Sequence, residues 1–200
     1  FPPSIAQIEC KRLGVAHSTA CNVINSNLEA GLALREDGFL EAPNDFGCTD
    51  ADEILELTLR SIIQDAENRK AHLYGEFIGY IPFSKGVSKS RLVLIDRILA
   101  QLSFDDLMVL CLLDDNHIHC FGKLETTMMG KPSEDESSLF AALLHLKSLG
   151  LFSQHPAYST GQSIGNIKCS SLGQQIARIL YLDATSSRLA NLIRQFESHD

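Results

Sequence analysis

Between Thr49 and Pro82 the apolar residues Leu55, Leu59, Ile62, Ala66, Leu73, Phe77 and Ile81 recur at helical spacing. A stripe of that period has to bury one face of a helix against another element, which confines this part of the chain to a helix-on-helix packing. Thr49 followed by Asp52 matches a capping box at the start, and Pro82 cannot continue a helix at the end. The spacing therefore predicts one long helix from Thr49 to the residues before Pro82. Lys70 interrupts the stripe and is read as a side chain that snorkels to the rim, with Asp65 and Arg69 as an i,i+4 pair on another face. After the 84–90 loop, Leu92, Ile95, Leu99 and Leu102 mark a second helix, so residues 49–102 read as a helical hairpin that needs further partners to cover it.

The rest of the composition agrees with a globular chain. Of 200 residues, 44% are hydrophobic and 21% charged, with 17 Lys+Arg against 25 Asp+Glu, a net charge of −8. That excludes collagen-like repetition and wholesale disorder, and allows one domain or two small ones. Residues 1–50 carry three basic and seven acidic side chains, residues 51–102 seven of each, and residues 103–200 seven and eleven, so positive charge is concentrated in the middle. Pro43, Asn44, Gly47 and Cys48 form a breaker-rich stretch ahead of Thr49, which makes residues 1–48 a separate amino-terminal helical segment. The longest apolar run, residues 107–113, is far short of the roughly 20 needed to span a bilayer. A basic stretch leading into an apolar one is missing at the amino terminus, and the chain opens on Phe1, which reads as a trimmed start. The six cysteines form no CxxC pair and read as reduced core residues of a cytoplasmic protein.

Residues 103–182 alternate short elements. Ser103 with Asp106 caps a helix carrying Phe104, Leu107, Met108, Leu110 and Cys111. A β-compatible stretch, Asn116-His117-Ile118-His119-Cys120, precedes a short helix over 121–129. Ser133 with Glu136 opens an apolar helix (Leu139, Phe140, Leu143, Leu144, Leu146) that stops at Gly150. Then come a strand at Leu151-Phe152-Ser153, a Gly- and Ser-rich span from 155 to 165, a return strand at Ile167-Lys168-Cys169 and a helix over 171–182. This order resembles the winged-helix variant of the helix-turn-helix fold, above all in Leu143, Leu146, Leu149, Gly150 and Leu151 and in the return from Ile167 through Gly173 to Ile176. The fold class so implied is mainly α with a small β-hairpin wing, a helical hairpin joined to a winged-helix-like module. Residues 183–200, with Leu189, Leu192, Ile193 and Phe196, read as a final amphipathic helix that closes the core or a dimer interface.

The resemblance implies that the helix after Ser133 is a recognition helix, whose first residues normally meet base edges. Here they are Glu134, Asp135 and Glu136, which repel phosphates, with Lys147 the sole cation on that helix and Lys168 on the wing. Winged helices also serve as protein-interaction modules, and the charge favours that use. A second stretch, residues 13–25, resembles the turn and recognition helix of the Lac-repressor type of helix-turn-helix, with Gly14 in the turn and Ser18-Thr19 opening the next helix. Against it stands an ordinary capped helix running from His17 into the thirties, the reading preferred here. Lys11 and Arg12 are the cations beside it.

Catalytic patterns are sparse. Gly161-Gln162-Ser163-Ile164-Gly165 matches G-x-S-x-G, with Asp183 and His199 following, but a nucleophile elbow needs a buried strand before the serine and a helix after it, whereas Ile167-Lys168-Cys169 follows here. A hydrolase is thus the remote alternative. His117, His119 and Cys120 lack a fourth ligand at metal-site spacing, and Asp105-Asp106 and Asp114-Asp115 read as a cap and a solvated helix end, so no catalytic, metal or cofactor residues are assigned. The densest basic patch is the loop holding Lys85, Lys89 and Arg91. The leading expectation is a non-enzymatic regulatory or adaptor protein acting through protein contacts or self-association. The alternative is a DNA-binding transcriptional regulator touching phosphates or an acidic partner through Lys11, Arg12, Lys85, Lys89 and Arg91.

Overall fold

The structure, a computed structural model, describes residues 4–114, 130–157 and 164–180, which are mainly helical and divide into two units, residues 1–103 and 104–200. In unit 1, α1 (Ile5–Glu29), α2 (Asp50–Gln64), α3 (Ala71–Tyr80) and α4 (Lys89–Gln101) follow one another, with single 3-10 turns at Asn68–Lys70 and Ile81–Phe83. Unit 2 holds α5 (Phe104–Asp114), α6 (Glu134–Ser148), strands β1 (Phe152–Ala157) and β2 (Ile164–Cys169), and α7 (Ser171–Ile179).

Helix α1 starts well upstream of His17. Ser4 accepts from the Gln7 amide while the Gln7 side chain accepts from the Ser4 amide, closing a capping box. The helix runs through Gly14 without a turn, so the Lac-repressor-like motif is not formed. A glycine costs a helix only about 1 kcal/mol relative to Ala, and packing of the buried Ala16 and Ala20 outweighs it. These small residues meet Gly75 and Gly79 of α3: a Cβ built on Gly75 would lie 2.5 Å from the Ala16 carbonyl oxygen, and one on Gly79 2.6 Å from Val23 Cβ. Because α1 packs on both α3 and α2, residues 1–48 belong to the same unit as residues 49–102 rather than standing apart.

The long helix expected over 49–81 is two helices. Thr49 and Asp52 do form the capping box at its start. At Asp65, however, the backbone turns extended, and the side chain takes the Glu67 amide at 2.8 Å, a local bond that competes with the helical ladder. The buried face of α2 is Ile54, Thr58 and Ile62: Ile62 is buried as expected, but Ile54 and Thr58 take the places expected for Leu55 and Leu59, which are exposed. Helix α4 buries the expected Leu92, Ile95, Leu99 and Leu102, but it begins at Lys89 behind the cap Ser88, inside the stretch read as a loop.

In unit 2, Ser133 and Glu136 form the predicted capping box of α6, and Gly150 ends it at φ 69°. Leu139, Ala142, Leu143 and Leu146 bury α6 against α5, whose Leu107, Val109 and Leu110 are fully covered. β1 and β2 pair antiparallel, Phe152 opposite Cys169 and Ala157 opposite Ile164, both strands longer than the sequence indicated. α7 follows at once because the Ser170 amide bonds to the Leu151 carbonyl at 2.8 Å and Gly173 fits where a Cβ would lie 2.6 Å from that same oxygen. The elements expected over 116–120, 121–129 and 183–200, the hairpin tip, and His117, His119, Cys120, Ser163, Asp183 and His199 lie outside the described residues.

Candidate functional site

The five cations singled out in the sequence do not share one surface. Lys11 and Arg12 line a cleft of about 640 Å³ beside Gln7, Ile8, Val15, Asn68 and Ala71. Lys85 borders a depression with Arg35, Glu36 and Asp37, while Lys89 lines another with Asp50, Phe39 and Asn44. Arg91 is half-buried on the first turn of α4.

Two of them serve the fold directly. Arg12 reaches across to the carboxyl end of α2, where its Nη1 donates to the carbonyls of Ile62 and Ile63 at 3.3 and 3.2 Å and to that of Asp65. Those are orphan carbonyls of a helix end, the place where a cation is electrostatically favoured. Its Nε is buried with no hydrogen-bond partner. Lys89 sits between Asp50 Oδ1 at 2.8 Å and Glu53 Oε2 at 2.5 Å, tying the start of α4 to that of α2, and the Asp50 and then the Glu53 hydrogen bonds push its pKa up. Lys11 and Lys85 remain exposed.

Three polar clusters were not read from the sequence. Arg35 is only 7% exposed: it donates to both oxygens of Asp37 at 2.8 and 2.5 Å, to Ser84 Oγ at 3.0 Å and to the Val87 carbonyl at 3.1 Å, with Phe39 stacked 3.8 Å away. Its hydrogen bond holds the exposed Asp37 carboxyl down at about 2. Lys70, far from snorkelling, is 2% exposed and pairs with Asp65, which also accepts from the Tyr74 hydroxyl at 2.8 Å, while Arg69 turns to Glu67 instead. Burial first, and then the Asp65 contact, raises the Tyr74 hydroxyl's pKa. In unit 2, Asp106, read from the sequence as a cap residue, is 6% exposed and lies 3.0 Å from His145 Nδ1. For Lys70 and Asp106 the only signal was a charged residue among apolar ones on a helical element, and for Arg35 and Asp37, which lie between α1 and α2, there was none.

Two carboxyls are pushed above their usual range. Burial alone raises Glu76 on α3 to about 7, and its Oε2 is buried without a partner. Burial also raises Asp96 on α4, against the lowering pull of its hydrogen bond from Ser61 Oγ at 2.9 Å. Cysteines expected in the core are at the surface: Cys10, Cys21 and Cys48 are exposed free thiols, Cys21 Sγ lying 3.7 Å from His17 Nε2 on the open face of α1. Among the described residues no group of three or more His, Cys, Asp or Glu is placed to hold a metal ion, and no helix is long and apolar enough to cross a membrane. The strand β2 begins directly after the Ser163 position, where a nucleophile elbow would need a helix.

The outward face of α6 is the other candidate. Its first turn is Glu134, Asp135 and Glu136, with Glu134 exposed, and farther along the exposed residues are Ser138, Ala141, Leu144 and Lys147, Leu144 at 45%. No family model, curated protein or solved structure matches the chain. What the fold itself defines is a mainly helical protein of two units.

Proposed function

We propose that this chain is a non-enzymatic regulatory or adaptor protein that works through protein contacts, with unit 2 acting as a winged-helix-like module. The observation that carries the reading is α6: an acidic first turn followed by an exposed Leu144 with the small Ser138 and Ala141 on one side and Lys147 on the other. Negative charge at that end repels phosphates, whereas a small, partly apolar face accommodates another protein's side chains. The order α5, α6, β1, β2, α7 supports the winged-helix comparison. The commitment of Arg12 and Lys89 to internal partners further weakens a phosphate-binding surface. Three exposed free thiols suit a reducing compartment such as the cytoplasm.

Fluorescence anisotropy of a duplex DNA at about 50 and about 200 mM salt tests the reading, because phosphate contacts lose affinity steeply across that range. No binding at the lower salt is expected. Tight binding with a steep salt dependence, weakened by charge reversal at Lys11 and Lys85, would establish the DNA-regulator alternative instead. For the protein-contact reading itself, partners recovered by in-cell proximity labelling are expected to be lost on Leu144→Asp with the thermal melt unchanged.

A further inference from the structure

Phe46 is the most exposed large hydrophobic side chain among the described residues, at 91%. It does not hang from a loose segment. Asn44 Oδ1 accepts from the amides of Phe46 at 2.9 Å and Cys48 at 3.3 Å, and the Asn44 amide donates to the Cys48 carbonyl at 2.8 Å. The Gly47 amide donates to the Asn44 carbonyl at 2.9 Å, with Gly47 at φ 77°, a conformation that favours glycine. Asn44 Nδ2 donates in turn to Glu53 on α2, so the turn is anchored to a helix of the core. An aromatic ring displayed on a prebuilt turn loses little freedom on binding, which is how interface anchors gain affinity.

The surroundings say what kind of surface receives it. Residues 36–53 contain seven acidic side chains and no Lys or Arg. Arg35 offsets Asp37, and Lys89 sits between Asp50 and Glu53, but Glu41 and Asp45 are exposed and form no ion pair among the described residues. We propose that Phe46 is the anchor of a docking site for a protein partner that offers an apolar pocket rimmed by Lys and Arg. This acidic run of sequence disfavours anionic membranes and nucleic acid on electrostatic grounds, and a net charge of −8 disfavours a second copy of the chain. This site lies in unit 1 and stands independently of the α6 reading.

The test is the whole chain with Phe46 replaced by the photo-crosslinking residue p-benzoylphenylalanine, irradiated in cells, followed by titration of the purified crosslinked protein against wild type, Phe46→Ala and Asp45→Lys/Glu41→Lys. The crosslink is expected to map to an apolar pocket flanked by basic residues. Phe46→Ala is expected to weaken binding at least about tenfold with an unchanged melting temperature, since the ring contributes no core contact. The charge-reversed variant is expected to weaken it at about 50 mM salt and less at about 300 mM. Leu144→Asp should leave this binding intact. The proposal is overturned by any of four results: no protein crosslink, a crosslink only to a second copy, co-sedimentation of wild type but not Phe46→Ala with phosphatidylserine vesicles, or equal affinity of wild type and Phe46→Ala.

Discussion

Gly75 decides how closely α1 and α3 approach. Any side chain there would press within 2.5 Å of the Ala16 carbonyl and 2.6 Å of Thr19 Cβ, so backbone must move. Gly75→Ala is expected to destabilise unit 1 by about 2 kcal/mol, read as a lower urea midpoint, whereas Gly14→Ala, which meets nothing within 4 Å, should leave stability unchanged or slightly raised. Glu76, the next residue, gives the protein a pH dependence. Its carboxyl sits at about 7 when folded against 4.5 unperturbed, so between those values the native state holds a proton that the unfolded chain has released. That contribution to stability is complete below about 4.5 and is lost as the pH rises through about 7. Between urea melts at pH 5 and pH 7.5, Glu76→Gln should gain stability relative to wild type, the difference isolating Glu76 from the half-buried His72, whose burial-lowered pKa acts in the opposite sense in both proteins. Asp37, Asp52 and Glu136, whose pKa values are lowered by hydrogen bonds, act in the opposite sense and only at lower pH, outside this window.

At the scale of elements, two helix starts and one helix stop were legible, whereas the start of α1 and the division of α2 from α3 were not. Thr49 with Asp52, Ser133 with Glu136, and the stop at Gly150 are local chemistry, and each is where the sequence puts it. The break at Asp65 was hidden because a single side chain bonding to the amide two residues on leaves no mark in the apolar period. Arg12 illustrates the same difficulty from the other side, since its partners are more than 45 residues away in sequence. If it closes the carboxyl end of α2, Arg12→Ala should cost about 1 kcal/mol, and amide exchange in residues 62–67 should quicken while that in α4 does not change. Unchanged exchange at the α2 end would show that Arg12 is dispensable there.

At the scale of the whole molecule, each unit has a core of its own. Tyr74, Phe77, Ile54, Ile62, Leu92 and Ile95 are buried in unit 1, and Leu107, Leu110, Leu139, Leu146 and Ile176 in unit 2. Residues 1–103 expressed alone are therefore expected to be helical by circular dichroism and to melt in one cooperative transition; a non-cooperative melt would show that unit 1 depends on the remainder of the chain. The helical class, the caps at Thr49 and Ser133, the buried face of α4, the position of α6 and the acidic character of its first turn were determined by the sequence alone, because capping and apolar periodicity act over three to eight neighbouring residues. Which cations are free was decided only by tertiary structure. Lys70, Lys89, Arg12 and Arg35 find carboxylates, hydroxyls or carbonyls. The same holds for the phase of α2, the joining of residues 1–48 to 49–102, and the burial of Asp106 beside His145. The physical reason is one of range: a charge is neutralised and a face is covered by whatever the fold brings within a few ångströms, and in this chain most of those partners are distant in sequence.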